Sequence, residues 1–376
     1  MINLSVFEQI NTPAYVADEE KLVKNLSILK SVKEAAGCKI LLAQKAFSMF
    51  SLYPLMEQYL DGTTASGLYE ARLGSEEFRG EVHVFSAAYR DDEFDEIARI
   101  SDHIVFNSPA EVRRFHDRCV GKSVGLRVNP ECSTQETAIY DPCAPGSRLG
   151  TTLENFDEGV LQYIDGLHFH TLCEQGADAL EVTLKSFEEK FGKYLKGLKW
   201  VNFGGGHHIT RDDYDRELLI KLVREFKERY GVEVYLEPGE AVALNAGYLV
   251  TKVLDVVHND IDIAILDASA ACHMPDVLEM PYRPPLFGSG LKGEKAYDYR
   301  LSSATCLAGD VIGDYSFDAP LKRGDTLVFE DMMIYSMVKN NTFNGMRLPD
   351  IGALDCNGQY KIIKSFGYED FKERLS

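Results

Sequence analysis

Glu233-Val234-Tyr235-Leu236-Glu237-Pro238-Gly239 is a short strand-like run, preceded by an amphipathic stretch and stopped by Pro-Gly. It is the eighth such run. Residues 39–45, 62–66, 81–86, 103–107, 124–129, 164–170 and 200–203 are likewise rich in apolar or β-branched residues. Helix-like stretches lie among them at residues 19–36, 68–78, 91–100, 109–119, 177–194 and 213–230. Regular β-then-α alternation implies parallel strands with helical crossovers. Eight runs complete by residue 240 predict a closed (β/α)8 TIM barrel, because an open doubly wound sheet usually stops at about five to seven strands.

Beyond residue 245 the pattern changes. Runs at 248–257, 261–268 and 326–329 follow without long helices, the last entered through the turn-like Lys322-Arg323-Gly324-Asp325. The expected architecture is α/β: a barrel at residues 19–245 and an all-β domain at 246–376. The segment 1–18, with Thr12-Pro13-Ala14-Tyr15-Val16-Ala17-Asp18, is expected to join the β domain.

The 376 residues are 45% hydrophobic and 26% charged, an ordinary globular composition that excludes disorder, collagen and coiled coil as the main architecture. Lys and Arg total 40 against 59 Asp and Glu, a net charge of −19, and no basic block is long enough to form a stripe. Nucleic acid and anionic membranes are therefore poor partners. The charge serves solubility, or it suits a cationic small-molecule substrate. No stretch of about 20 uninterrupted apolar residues exists, nor a basic-then-apolar leader, so a cytoplasmic location is expected. The eight cysteines (Cys38, Cys119, Cys132, Cys143, Cys173, Cys272, Cys306, Cys356) are scattered and form no CxxC pair, which argues for reduced thiols over a zinc ribbon or disulfide framework.

A barrel builds its active site at the C-terminal ends of its strands, and here those ends are polar. The first closes with Lys45, the fifth with Arg127-Val128-Asn129, the sixth with His168-Phe169-His170, and the seventh opens into Gly204-Gly205-Gly206. Lys45 follows an apolar run, and desolvation there would lower its pKa and make the amine a nucleophile for a carbonyl. Three glycines where a strand gives way to a helix let backbone N–H groups close around a phosphate. Glu237 at an inward strand end needs a cationic partner, and a protonated pyridine nitrogen would supply one. With an imidazole able to stack on a ring, these are the parts of a pyridoxal 5'-phosphate site. The competing reading is a metal centre on His168 and His170, with His207, His208 and His273 in reserve. No convincing ligand set completes it, and no metal is expected.

These residues resemble the fold-type III pyridoxal phosphate decarboxylases, the group of ornithine, arginine and diaminopimelate decarboxylases. The resemblance runs from Thr12-Pro13-Ala14-Tyr15-Val16 to the end of the chain. It includes Ala43-Gln44-Lys45-Ala46, Ala65-Ser66-Gly67, Ser147-Arg148-Leu149-Gly150, Gly166-Leu167-His168-Phe169-His170 and Asn202-Phe203-Gly204-Gly205-Gly206, then Glu237-Pro238-Gly239, Cys306-Leu307-Ala308-Gly309-Asp310 and Ile334-Tyr335-Ser336. Some details resemble the carboxynorspermidine/carboxyspermidine branch: His170-Thr171-Leu172-Cys173-Glu174, Glu240 after Pro-Gly where relatives carry arginine, and Asp267-Ala268-Ser269-Ala270-Ala271-Cys272-His273-Met274-Pro275-Asp276. Thr63 stands where an aspartate is common on the second strand, and Leu307 where an acid often follows the cysteine.

The resemblance implies that Lys45 carries the cofactor, Glu237 its ring nitrogen, His170 its face, and Gly204, Gly205, Gly206 and Tyr335 its phosphate. It implies that Cys306 protonates the product carbon with Asp310 beside it, and that the cysteine comes from the other subunit of a homodimer with active sites at the interface. Glu240, His273, Asp276 and Glu279 are candidates for the ammonium groups of a polyamine tail, and Asp310 is counted with them as substrate-binding. Arg283 is the one basic residue there that could clamp a distal carboxylate, which disfavours diaminopimelate. The expected activity is decarboxylation of carboxynorspermidine or carboxyspermidine to norspermidine or spermidine. The alternatives are a diaminopimelate or ornithine/arginine-type decarboxylase, a noncatalytic pyridoxal phosphate-binding regulator, and a metal-dependent barrel hydrolase.

Overall fold

The computed structural model describes residues 4–135 and 137–376. Strand β1 (Ala14–Asp18) comes first, and eight further strands close a parallel barrel: β2 (Lys39–Ala43), β3 (Gly62–Ala65), β4 (Glu81–Phe85), β5 (His103–Phe106), β6 (Ser123–Arg127), β7 (Gly166–His168), β8 (Trp200–Asn202) and β9 (Glu233–Leu236). Closure is made where β2 pairs with β9, Lys39 opposite Tyr235 and Ile40 opposite Leu236. All eight expected runs are strands of this barrel.

Helices follow most strands as expected, with shifted ends. The helix before β9 is Arg216–Tyr230, three residues shorter than its amphipathic stretch, because the Asp215 carboxylate accepts the Leu218 N–H and caps it. The crossover from β6 to β7 holds only short 3-10 turns, Ala138–Tyr140 and Glu158–Tyr163, among the described residues.

Alternation along the strands sorts inward from outward residues. The inner core packs Leu41, Val105, Trp200 and Tyr235, with Phe85 against them. Trp200 explains two inward glycines: a Cβ on Gly125 would lie 2.4 Å, and one on Gly166 2.1 Å, from its indole. The indole N–H donates to Ser123 Oγ at 2.8 Å. Toward the N-terminal ends of the strands the lining turns polar. Glu81 bonds Lys39 and lies 3.0 Å from His83, whose ring stacks on His103 at 3.9 Å and 8°. Toward the C-terminal ends lie Phe85, Arg127, His168, Asn202 and Glu237.

The remaining strands are β10 (Gly247–Asn259), β11 (Ile261–Leu266), β12 (Tyr297–Ser303), β13 (Val311–Phe317), β14 (Thr326–Glu330), β15 (Asp350–Leu354) and β16 (Tyr360–Lys364). With β1 they form one mixed sheet in the order β13-β12-β11-β10-β1-β15-β16, with β14 also on β10. β1 runs antiparallel to β10 and parallel to β15. Its core packs Phe7, Ile10, Ala14, Val16, Tyr248, Val250 and Val328. The chain divides into two compact units, Met1–Lys24 with Ala243–Ser376, and Asn25–Val242. No helix among the described residues is long and apolar enough to cross a membrane.

Candidate active site

In the barrel unit, Lys45 stands on the turn after β2. Neighbouring Gln44 is buried and fixes this turn, donating to Glu70 O at 2.7 Å and accepting from Tyr53 Oη at 3.0 Å. Lys45 is open to solvent yet enclosed by protein atoms, as a group in a cup is. Desolvation by that shell, then the charge of Arg127, lowers its pKa, with Glu237, Glu70 and Cys173 opposing.

Glu237 follows β9 and is 8% exposed. Burial alone would raise its pKa, but His168 and Asn202 outweigh it and hold the carboxyl at about 2. Asn202 Nδ2 donates to Glu237 Oε1 at 2.7 Å, and His168 Nε2 lies 3.6 Å from Oε2. Arg127 donates to His170 O at 3.2 Å and packs 4.6 Å from the centroid of the Phe85 ring. Burial pushes its pKa down to about 10.

The glycine turn is packed against its neighbours. A Cβ on Gly204 would lie 2.6 Å from His170 Cβ, one on Gly205 2.5 Å from Glu237 O, and one on Gly206 2.0 Å from Leu172 O. Gly204 and Gly206 also have φ of 71° and 80°. Two of the three N–H groups expected to face a phosphate are occupied: Gly204 donates to Asn202 Oδ1 at 2.8 Å and Gly205 to His170 Nδ1 at 3.1 Å. The second bond makes Nδ1 of His170 an acceptor, so its neutral ring carries the proton on Nε2. Burial and the charge of Lys45 hold His170 well below the usual imidazole range.

Among the described residues, His168 Nδ1 and both ring nitrogens of His207 are buried without a hydrogen-bond partner, and His168 Nε2 has only the Glu237 carboxylate at 3.6 Å. Buried polar groups are normally paired, so these orphans mark a place built for a polar guest. A carboxylate held ionised for a ring nitrogen, a fixed neutral imidazole and a lysine of lowered pKa fit pyridoxal phosphate. Ligand atoms of His168, His170 and Glu237 also lie within 4.8 Å of one another, close enough for a metal. The cations Lys45 and Arg127 beside them oppose a dication there.

Two further residues of the barrel unit bear on the sequence expectations. Glu240 has Oε1 3.6 Å from His208 Nε2, and His208 Nδ1 faces Arg211 at 3.3 Å. Thr63 lies against the outer helix: a Cβ on Gly74 would lie 2.3 Å from its Oγ1. By strand alternation the inward residue beside it is Thr64, and Thr63 faces the helix.

The other candidates belong to the sheet unit. Cys306 is exposed, and its N–H donates to Asn344 Oδ1 at 2.6 Å. Asp310 is buried and accepts from the hydroxyls of Ser269, Ser303 and Thr305, each at 2.6 Å. Lys339 bonds both Asp276 and Glu279. Arg283 lies 4.5 Å over the ring of Tyr315. Tyr335 has a positive φ of 55°.

His273 is a correction. It has no exposed surface, its Nδ1 accepts the Ser269 N–H at 3.2 Å, and its Nε2 meets Arg347 O at 3.1 Å. Burial pushes its pKa down to about 4. A ring with both nitrogens committed to backbone has none left for a substrate ammonium.

Gln44, Arg127 and Asn202 also belong to the barrel site without a role expected from the sequence, and His168, weighed there only as a metal ligand, lies against Glu237. The inward alternation of Arg127 and His168 was a usable signal; the bonds of Gln44 and Asn202 appear only in three dimensions.

A family model described as pyridoxal-dependent decarboxylase, C-terminal sheet domain, matches residues 14–333. The chain is 47% identical to the carboxynorspermidine/carboxyspermidine decarboxylase of Campylobacter jejuni subsp. jejuni serotype O:6, covering 98% of this chain and 99% of that one. It is 42% identical to a carboxyaminopropylagmatine decarboxylase of Synechocystis sp., covering 97% and 95%. The crystal structure of carboxynorspermidine decarboxylase complexed with norspermidine from Campylobacter jejuni superposes with a TM-score of 0.90 at 46% identity, over 97% of this chain and 100% of that one. By the family model and by identity along nearly its whole length, this chain belongs to the pyridoxal-dependent decarboxylase family, in the branch of the carboxynorspermidine/carboxyspermidine decarboxylases.

Proposed function

We propose that this enzyme removes the α-carboxylate of carboxynorspermidine or carboxyspermidine, releasing carbon dioxide and norspermidine or spermidine in polyamine biosynthesis. The observation that carries this reading is the 47% identity to the Campylobacter jejuni enzyme over 98% of the chain.

Pyridoxal phosphate, when bound, supplies an electron-withdrawing ring that takes up the electron pair left by the departing carbon dioxide. Lys45 is the amine that holds the cofactor, kept toward its neutral, nucleophilic form by desolvation and Arg127. Glu237, ionised by its partners, holds a proton on the pyridine nitrogen. His170, fixed through Gly205, offers an uncharged ring face. The glycine turn and Tyr335 serve the phosphate. The Cys306 thiol holds the proton that the α-carbon receives, and Asp310 ties down its loop.

Glu240, Asp276 and Glu279 remain our candidates for the tail ammonium groups. Lys339 neutralises only one of the two charges of Asp276 and Glu279, leaving a net negative pair. Lys45 and Cys306 lie in different units, and we take the working form to be a cytoplasmic homodimer in which one protomer's cysteine serves its partner's lysine.

A second reading has specific support, because the Synechocystis relative acts on carboxyaminopropylagmatine. Turnover assays with carboxynorspermidine, carboxyspermidine, carboxyaminopropylagmatine, diaminopimelate and ornithine decide between them. The highest kcat/KM on the first two supports the proposal. Preference for any other substrate overturns it.

A further inference from the structure

Cys306 lies between β12 and β13, in a stretch with no helix or strand of its own to hold it. Two polar anchors flank it. On one side the Asp310 carboxylate collects the hydroxyls of Ser269, Ser303 and Thr305 and the N–H of Ala271, at 2.6 to 3.2 Å. On the other, Asn344 Oδ1 accepts the N–H of Cys306 itself at 2.6 Å.

Asn344 has φ 62°, a left-handed conformation that asparagine tolerates better than most residues. Its own segment is tied back to the first anchor. Phe343 N–H donates to Asn341 Oδ1 at 2.9 Å, and Asn341 Nδ2 donates to Ala271 O at 2.8 Å. Asn341 N–H donates to Cys272 O at 2.9 Å, and Ala271 N–H returns to Asp310 at 3.2 Å. Together with the peptide links Phe343–Asn344 and Thr305–Cys306, these hydrogen bonds close a ring through Cys306, Asn344, Phe343, Asn341, Ala271, Asp310 and Thr305. An exposed loop amide ordinarily bonds to water. Here a residue in an unfavoured backbone conformation supplies the acceptor.

We infer that Asn344 is a positioning residue for the decarboxylation, holding the backbone of Cys306 and so restricting where its thiol can lie. The inference rests on the reading of Cys306 as proton donor. Proton transfer requires hydrogen-bond reach, and a displacement of about 1 Å costs on the order of 100-fold in rate. Asn344 acts through the cysteine and not on the substrate, so its loss falls on kcat and not on KM.

The test uses the full-length, cofactor-loaded enzyme and carboxynorspermidine. Asn344→Gly keeps the left-handed backbone accessible and deletes the acceptor, whereas Asn344→Asp keeps an acceptor oxygen. The expected result for Asn344→Gly is faster hydrogen exchange at the Cys306 amide and a kcat at least about tenfold lower, with KM within about twofold and an unchanged melting temperature. Asn344→Asp regains amide protection and recovers kcat toward the parent. An Asn344→Gly enzyme whose kcat stays within about twofold of the parent overturns the inference and leaves the role of Cys306 standing. Unchanged turnover by Cys306→Ser overturns both.

Discussion

Asn202 couples Glu237 to the glycine turn: its Nδ2 donates to Glu237 Oε1 at 2.7 Å while its Oδ1 accepts the Gly204 N–H at 2.8 Å. One buried amide thus orients the carboxylate and holds the backbone beside it. Asn202→Leu is expected to raise the Glu237 pKa and weaken pyridoxal phosphate binding. Losing a buried hydrogen bond to a charged group costs about 1.5 to 3 kcal/mol, or about ten- to a hundredfold in Kd. Equilibrium titration of the apoenzyme with cofactor measures it, and an unchanged Kd would refute the coupling.

Lys45 must lose a proton to react with the cofactor's carbonyl. Its pKa lies below the ordinary 10.5, so incorporation of cofactor into the apoenzyme should quicken as pH rises, with a midpoint under that value. Arg127→Met removes a nearby cation and should move the midpoint upward. Stopped-flow absorbance reads both. Lys45→Ala should abolish the visible band of the bound cofactor and the activity.

A homodimer with shared sites makes a stoichiometric prediction. Lys45→Ala and Cys306→Ala should each be inactive as pure variants, while an equal mixture, unfolded and refolded together, should recover about one quarter of parental activity. Half of the mixed population is heterodimeric, and each heterodimer has one intact site. No recovery, with heterodimers shown to form by mass spectrometry, would place both residues in the site of one protomer.

The polar end of the barrel predicts acid lability. Burial, then the neighbouring His83, pushes the His103 pKa from 6.5 down to about 3, although Glu81 and Asp165 oppose. Burial would raise the pKa of Glu81, but bonds to His83 and Lys39 bring it from 4.5 to about 2. In both cases the unfolded chain binds protons that the folded chain refuses. Stability should therefore fall as pH drops below 6.5 and again below 4.5. Urea denaturation across pH tests this, and His103→Gln should flatten the upper part of the curve.

The net charge of −19 should attract a polycationic substrate. Added salt should then lower kcat/KM for carboxynorspermidine more steeply than for a neutral analogue. Equal responses would leave the charge a solubility feature.

The barrel was legible in the sequence because its strands are short runs rich in apolar or β-branched residues that alternate with helix-like stretches, the last of them stopped at Leu236-Glu237-Pro238-Gly239. Local pattern carries that information, since alternation and turn residues act over a few positions. Strands β12, β13, β15 and β16 were not anticipated; β12 pairs with its neighbour β13 and β15 with β16, but β15 also meets β1 across the length of the chain, Ala14 opposite Asp350, a pairing no local pattern carries.

Residue identity alone determined the chemical set of Lys45, His170, Glu237 and Cys306, because nucleophile, imidazole, carboxylate and thiol are properties of side chains. Tertiary structure decided their surroundings. It gave Glu237 to Asn202, took His273 into the interior, turned Thr63 toward its helix, and set Asn344 on the amide of Cys306. Hydrogen-bond partners and burial depend on which distant segments pack together, and a linear sequence carries that only through the fold.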